Sequence, residues 1–231
     1  MKRYIVANWK CHKTGDEGRR WFDRFAVLYK PHRDVQIVIA PSMLSLENLA
    51  AHVHHLGLEN VALAVQDISP FPRGGYTGAV AADMVAGLAR YALVGHSERR
   101  RYFYETNMDV ANKVSEAVDA RLIPIVCVDG SNALAQLGAL EDALSEPLLV
   151  AYTPGEATGA RIAEEPIRVV DSVNHIKEMF GSWPILYGGA LQPANVGKYF
   201  QLPQLAGVFV GAASLDPDTF IAICNQVLPF S

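Results

Sequence analysis

Short apolar runs alternate with longer amphipathic ones along the whole chain, eight times over. The apolar runs are Tyr4–Trp9, Val35–Ala40, Val61–Val65, Tyr91–Val94, Leu122–Val128, Leu148–Tyr152, Pro184–Tyr187 and Gly207–Val210. They are rich in Val, Ile, Leu and Ala and show no polar alternation, the pattern of parallel strands covered on both faces. Between them, apolar residues recur at helical spacing. Asp16–Tyr29 places Trp21, Phe25 and Leu28 on one side, and Asn107–Ala120 does the same with Val110, Val114 and Ala117. Glu165–Phe180 repeats the pattern with Val169, Val173 and Ile176. Eight such units without a Pro/Ser-rich or charged linker predict one α/β domain over 1–231, a closed (β/α)8 barrel. The competing architecture is an open doubly wound sheet, whose usual sign is a Gly-x-Gly-x-x-Gly turn after the first strand. Here the first run ends in Asn8-Trp9-Lys10-Cys11, with no glycine until Gly15. The barrel is therefore preferred.

Bulk composition narrows the function without defining it. The chain has 231 residues, half of them hydrophobic and 19% charged, ordinary values for a soluble globular protein. No apolar stretch approaches bilayer length and the N-terminus leads straight into a strand, so neither a membrane span nor a signal peptide is expected. A net charge of −4 argues against a general nucleic-acid binder. Cys11, Cys127 and Cys224 are odd in number and widely spaced, which fits reduced thiols and a cytoplasmic location. His52 and His55 share a helix face, with His54 beside them, but no cysteine or acid stands at a matching spacing. A solvated helix end is the better reading, and no metal is expected.

In a barrel the chemistry collects where the strands end. A lysine in such a place, like Lys10, is ordinarily a solvated charge, and a histidine like His96 is ordinarily a core residue satisfied by a neighbour. Their surroundings say more. Asn8-Trp9-Lys10 closes the first strand, and Gly95-His96-Ser97-Glu98-Arg99-Arg100, followed by Glu105-Thr106, comes directly after the fourth. Tyr187-Gly188-Gly189-Ala190 and Val210-Gly211-Ala212-Ala213-Ser214-Leu215 supply small-residue turns after the seventh and eighth. Together these strings resemble the triosephosphate isomerase family over nearly the whole chain.

The resemblance implies a cofactor-free, dimeric TIM barrel that interconverts dihydroxyacetone phosphate and glyceraldehyde 3-phosphate through an enediol(ate). Lys10 and Asn8 would stabilise the developing oxyanion, His96 would act as the electrophile, and Glu98 would support Lys10. Arg99 and Arg100 read as residues that hold the loops. Backbone groups at Gly159, Ala190, Gly211 and Ala212 would hold the substrate phosphate. If Ala212 has φ > 0, the loss of the family's glycine there strains the backbone. The long segment Gln66–Gly78, carrying Phe71 and Tyr76, would enter a second copy of the chain, with Thr77 and Cys11 at the contact.

The chain departs from the pattern on one side. The family's Ala-Tyr-Glu-Pro, which carries the proton-abstracting glutamate, reads Ala151-Tyr152-Thr153-Pro154. The lid that follows keeps only a proline, an alanine and a glycine in register, and Gly-Glu after Cys127 becomes Asp129-Gly130. A threonine is no general base near neutral pH, and loss of such a base costs ~10²–10⁴-fold in rate. Glu156, within the lid, is the nearest carboxylate to take over the role, and Asp129 is a weaker candidate. Two alternatives follow: an isomerase for a related sugar phosphate, or a non-catalytic sugar-phosphate binder.

Overall fold

The computed structural model describes residues 2–140, 147–154, 162–181 and 183–227. Eight parallel strands close on themselves in chain order: β1 (Arg3–Asn8), β2 (Val35–Ala40), β3 (Val61–Val65), β4 (Tyr91–Val94), β5 (Ile123–Val128), β6 (Leu149–Tyr152), β7 (Ile185–Tyr187) and β8 (Gly207–Val210). Closure is made by β8 on β1, with Tyr4 beside Gly207 and Ala7 beside Val210. Gly207 is required at that seam, because a Cβ there would overlap the Tyr4 carbonyl. The strands begin and end within one residue of the apolar runs.

Alternation along each strand sends side chains in two directions, and both are dry. Val6, Val38, Leu93, Ile125, Cys127, Ala151, Leu186 and Phe209 fill the barrel interior. Their strand neighbours, including Ile5, Ile37, Val94, Val126, Val150 and Val208, pack outward under the helices. Burial on both faces is why these strands carry no polar alternation.

The described helices are α1 (Gly15–Leu28), α2 (Leu46–Leu56), α3 (Ala82–Val85), α4 (Ser97–Tyr102), α5 (Asn107–Asp119), α6 (Ala133–Gly138), α7 (Pro166–Phe180), α8 (Val196–Phe200) and α9 (Pro217–Val227). Two of the long ones start at sequence-encoded caps. Thr14 and Glu17 make a reciprocal capping box for α1, and Thr106 and Asp109 do so for α5. On the buried face of α1, Trp21 stacks on Phe25 and meets Trp9 edge-on with ring centroids 5.0 Å apart. The Trp21 indole also donates to the Ser214 carbonyl, tying α1 to the turn after β8. No helix among the described residues is long and apolar enough to cross a membrane. The three cysteines are unpaired, and burial pushes the Cys127 thiol up to about 12.

Candidate active site

Lys10, His96 and Glu98 meet at the C-terminal rim of the barrel. The Lys10 ammonium lies 2.6 Å from Glu98 Oε1, and His96 Nδ1 lies 3.7 Å from Glu98 Oε2. Residues 86 positions apart thus lie beside one carboxylate, because β1 and β4 deliver both to the same rim.

Lys10 arrives there by a turn rather than by strand alternation. β1 ends at Asn8, and Lys10 adopts a left-handed backbone with φ 53°. A lysine in that region is strained by roughly 1–2 kcal/mol, and such strain persists only where neighbours hold it. Two side chains do so. Asn8 Oδ1 accepts the Lys10 N–H at 2.9 Å, while the Gln66 carboxamide donates to the carbonyls of Lys10 and Ala40, each at 2.9 Å. Trp9, fully buried between them, anchors the turn in the aromatic cluster. The sequence marked Asn8 as a substrate contact; its visible bond is to the backbone of the lysine.

His96 caps the N-terminus of α4, accepting the Glu98 N–H at Nδ1 from 3.2 Å. An accepting Nδ1 carries no proton, so in the neutral ring the proton sits on Nε2. Burial lowers the imidazole pKa to about 4. Glu98 opposes that shift and the Lys10 charge adds to it. His96 is therefore a neutral hydrogen-bond donor at physiological pH.

Behind this pair lies a buried ionic cluster. Arg99 reaches Asp67 at 2.8 Å and Glu105 at 3.1 Å, and Lys113 reaches the same two carboxylates at 2.6 and 3.0 Å. Burial raises the Asp67 pKa, with Lys113 and Arg99 pulling it back down. The cluster joins the Gln66–Gly78 segment to α4 and α5. Arg100 instead bonds neutral acceptors, the Gly95 carbonyl and Asn107.

Across the mouth the picture differs. Thr153 is 3% exposed, and both its N–H and its hydroxyl donate to the Val128 carbonyl, at 2.9 and 3.2 Å. Its methyl leans on Gly188, where an added Cβ would sit 2.9 Å from Thr153 Cγ2 and 3.2 Å from Phe209 Cβ. Glu156 and Gly159 lie outside the described residues. Just beyond the lid, the Glu164 N–H donates to the Tyr187 oxygen at 2.9 Å and its carbonyl accepts from Tyr199; the two tyrosine rings stack at 4.5 Å. Asp129 follows β5, its N–H held by Gln136.

The small-residue turns also divide. Gly211 comes to Lys10: a Cβ there would stand 3.7 Å from Lys10 Cε. Its carbonyl accepts both the N–H and the hydroxyl of Ser214. Ala212 begins a 3-10 turn and is not among the positive-φ residues, so the conditional strain at that position does not arise. The strained alanine is Ala190, with φ 44°. Thr77 and Cys11 are both exposed, and the loop carrying Thr77 is ordered by a stack of Phe71 on Tyr76 at 4.6 Å. His52 pairs with Asp23 at 2.7 Å, and no cluster of metal-binding type occurs among the described residues.

A closed (β/α)8 barrel with a lysine, a neutral histidine and a glutamate converging at its C-terminal rim defines a class of barrel with enzyme-like polar machinery. The triosephosphate isomerase family model matches residues 3–227. Relatives named triosephosphate isomerase include that of Symbiobacterium thermophilum, 34% identical over 95% of this chain and 94% of its own length. Those of Moorella thermoacetica and Mesomycoplasma hyopneumoniae strain 232 are 33% and 31% identical, over 97% and 95% of this chain and 99% and 97% of their own lengths. The chain belongs to the triosephosphate isomerase family.

Proposed function

We propose that this barrel binds dihydroxyacetone phosphate and glyceraldehyde 3-phosphate and isomerises them through an enediol(ate), at a rate limited by the residue at 153. The observation that carries the reading is the convergence of Lys10 and His96 on Glu98, with the Gly211 backbone beside Lys10. A neutral imidazole with its proton on Nε2 polarises a carbonyl without first losing that proton. The Lys10 ammonium stabilises negative charge on the same oxygen or on the phosphate, with Glu98 holding it in place and Asn8 fixing its backbone. Gly159, Ala190, Gly211 and Ala212 are the proposed phosphate cradle. No metal or cofactor enters this chemistry.

The missing step is removal of the carbon-bound proton. Thr153 spends its hydroxyl on the Val128 carbonyl and has no acidity suited to the task. Glu156 is the candidate replacement. The buried, self-satisfied Thr153 also favours the second reading, a sugar-phosphate binder without turnover. The whole barrel acts as one domain, working in the cytoplasm as a homodimer with Thr77 and Cys11 at the contact.

A coupled isomerase assay on the native chain, Thr153→Glu and Glu156→Ala tests these readings, alongside calorimetric titration with 2-phosphoglycolate. Native turnover lost in Glu156→Ala supports a relocated base. A silent native chain that binds 2-phosphoglycolate supports the binder. Failure of 2-phosphoglycolate to bind overturns the phosphate site itself.

A further inference from the structure

The outer face of β3 is left partly uncovered. The helix before it, α2, is eleven residues long, but the helix after it, α3, is a single turn of four. Such a turn spans about 6 Å, whereas a five-residue strand runs about 16 Å, so α3 shields only part of that length. Beyond Val85 the chain folds back at once, the Leu88 and Ala89 N–H groups both donating to the Val85 carbonyl. Pairing of β3 with β4 begins only at Ala64 opposite Tyr91, so no strand flanks Val61 on that side. Val61, packed with the outer layer of the barrel, is accordingly half-buried rather than dry.

A hollow of about 350 Å³ opens there, at the N-terminal end of the barrel and away from the Lys10 rim. Val53, Leu58, Val61, Leu63 and Leu88 supply its apolar wall. Two glycines stand at its edge, Gly57 as the left-handed cap of α2 and Gly87 in the turn after α3; a Cβ on either would meet nothing within 4 Å. His54, from the last turn of α2, and Arg90, the residue before β4, border it and are exposed. The Arg90 N–H donates to the Leu63 carbonyl at 3.0 Å, which fixes that residue beside the hollow. By strand alternation Val61 turns its main chain the same way as Leu63, toward the open side. The Arg90 guanidinium lies 5.8 Å from the centre of the Tyr91 ring and pairs with no carboxylate among the described residues.

An apolar trough with an unpaired guanidinium at its lip is complementary to an anion that carries an apolar body. Its volume falls in the range of ligand clefts, about 300–1,000 Å³. A bilayer surface is instead met by a cluster of cations. We propose that this hollow binds a small organic acid, a carboxylate on an aliphatic or aromatic body, with its head at Arg90 and its body along Val61 and Leu88. The site is separate from the sugar-phosphate reading and survives its failure.

The probe is octanoate, followed in the intact chain by displacement of anilinonaphthalene sulfonate fluorescence and by amide NMR shifts. Octanoate is expected to displace the dye and octylammonium to leave it bound; equal displacement by both overturns the proposal. Arg90→Gln is expected to weaken octanoate about tenfold, the loss of one charge-assisted contact. Gly87→Leu, which fills the hollow, is expected to abolish binding and leave Tm unchanged. Native affinity in both variants overturns the proposal. Should Gly87→Leu not fold, the Val61, Gly87 and Arg90 amides of the native chain decide: they shift on adding octanoate if the site is here and stay still if it is not. Self-association abolished by Gly87→Leu would give the hollow to a second copy. Pelleting with phosphatidylglycerol vesicles that is lost in Arg90→Gln would give it to a membrane. Either outcome overturns the free-acid reading.

Discussion

The β1–β4 side of the mouth and the β6–β8 side are built on different terms. On the first, the polar groups are held by specific partners: Lys10 by the side chains of Asn8, Gln66 and Glu98, His96 by the Glu98 backbone N–H, and α4 by the ion cluster behind it. On the second, Thr153 is bonded back to the carbonyl of Val128, and Ala190, in the turn after β7, sits in a conformation that alanine resists. In the ion cluster Lys113 and Glu105 are both buried, so removing either strips the other of one of its charged partners.

The largest expected effect comes from breaking the braced side. Lys113→Met removes one cation from the buried cluster and leaves Asp67 and Glu105 sharing Arg99 alone; a loss of about 3–5 kcal/mol is expected, read from denaturant unfolding. A loss under 1 kcal/mol would mean the network holds nothing in place. The second test uses acid. His96 titrates near 4 in the folded chain and near 6.5 when unfolded, so the unfolded state binds more protons between those values. Stability is fully present above pH 6.5 and is lost as pH falls toward 4, by up to about 3 kcal/mol. His96→Gln is expected to flatten that part of the stability profile. The smallest effect belongs to the rebuilt side: Ala190→Gly relieves the positive φ and is expected to stabilise by about 0.5–1 kcal/mol, visible as a raised Tm.

Much of this was legible in the chain before any coordinates. Parallel strands dry on both faces write themselves as uninterrupted apolar runs, so all eight were readable to within a residue. That Lys10, His96 and Glu98 meet at one rim was readable too, from strings after the first and fourth strands that resemble the family's. What escaped depends on partners distant in sequence. Nothing local to Gln66 announces that it will hold the carbonyls of Lys10 and Ala40. Phe209 reads as one more apolar residue in a strand, and only closure of the barrel puts it beside His96. Positive φ was expected, if anywhere, at Ala212, where a glycine had been lost. It falls at Ala190, in a turn that keeps both its glycines, Gly188 and Gly189.

The Gln66 carboxamide has a consequence beyond fixing one lysine. It staples the ends of three consecutive strands through main-chain carbonyls, groups that no substitution can remove. The part of the rim formed by β1, β2 and β3 is thereby tied together whatever side chains stand at positions 10 and 40. A single carboxamide thus sets the level at which three strands end, and with it the height of the lysine above the barrel interior.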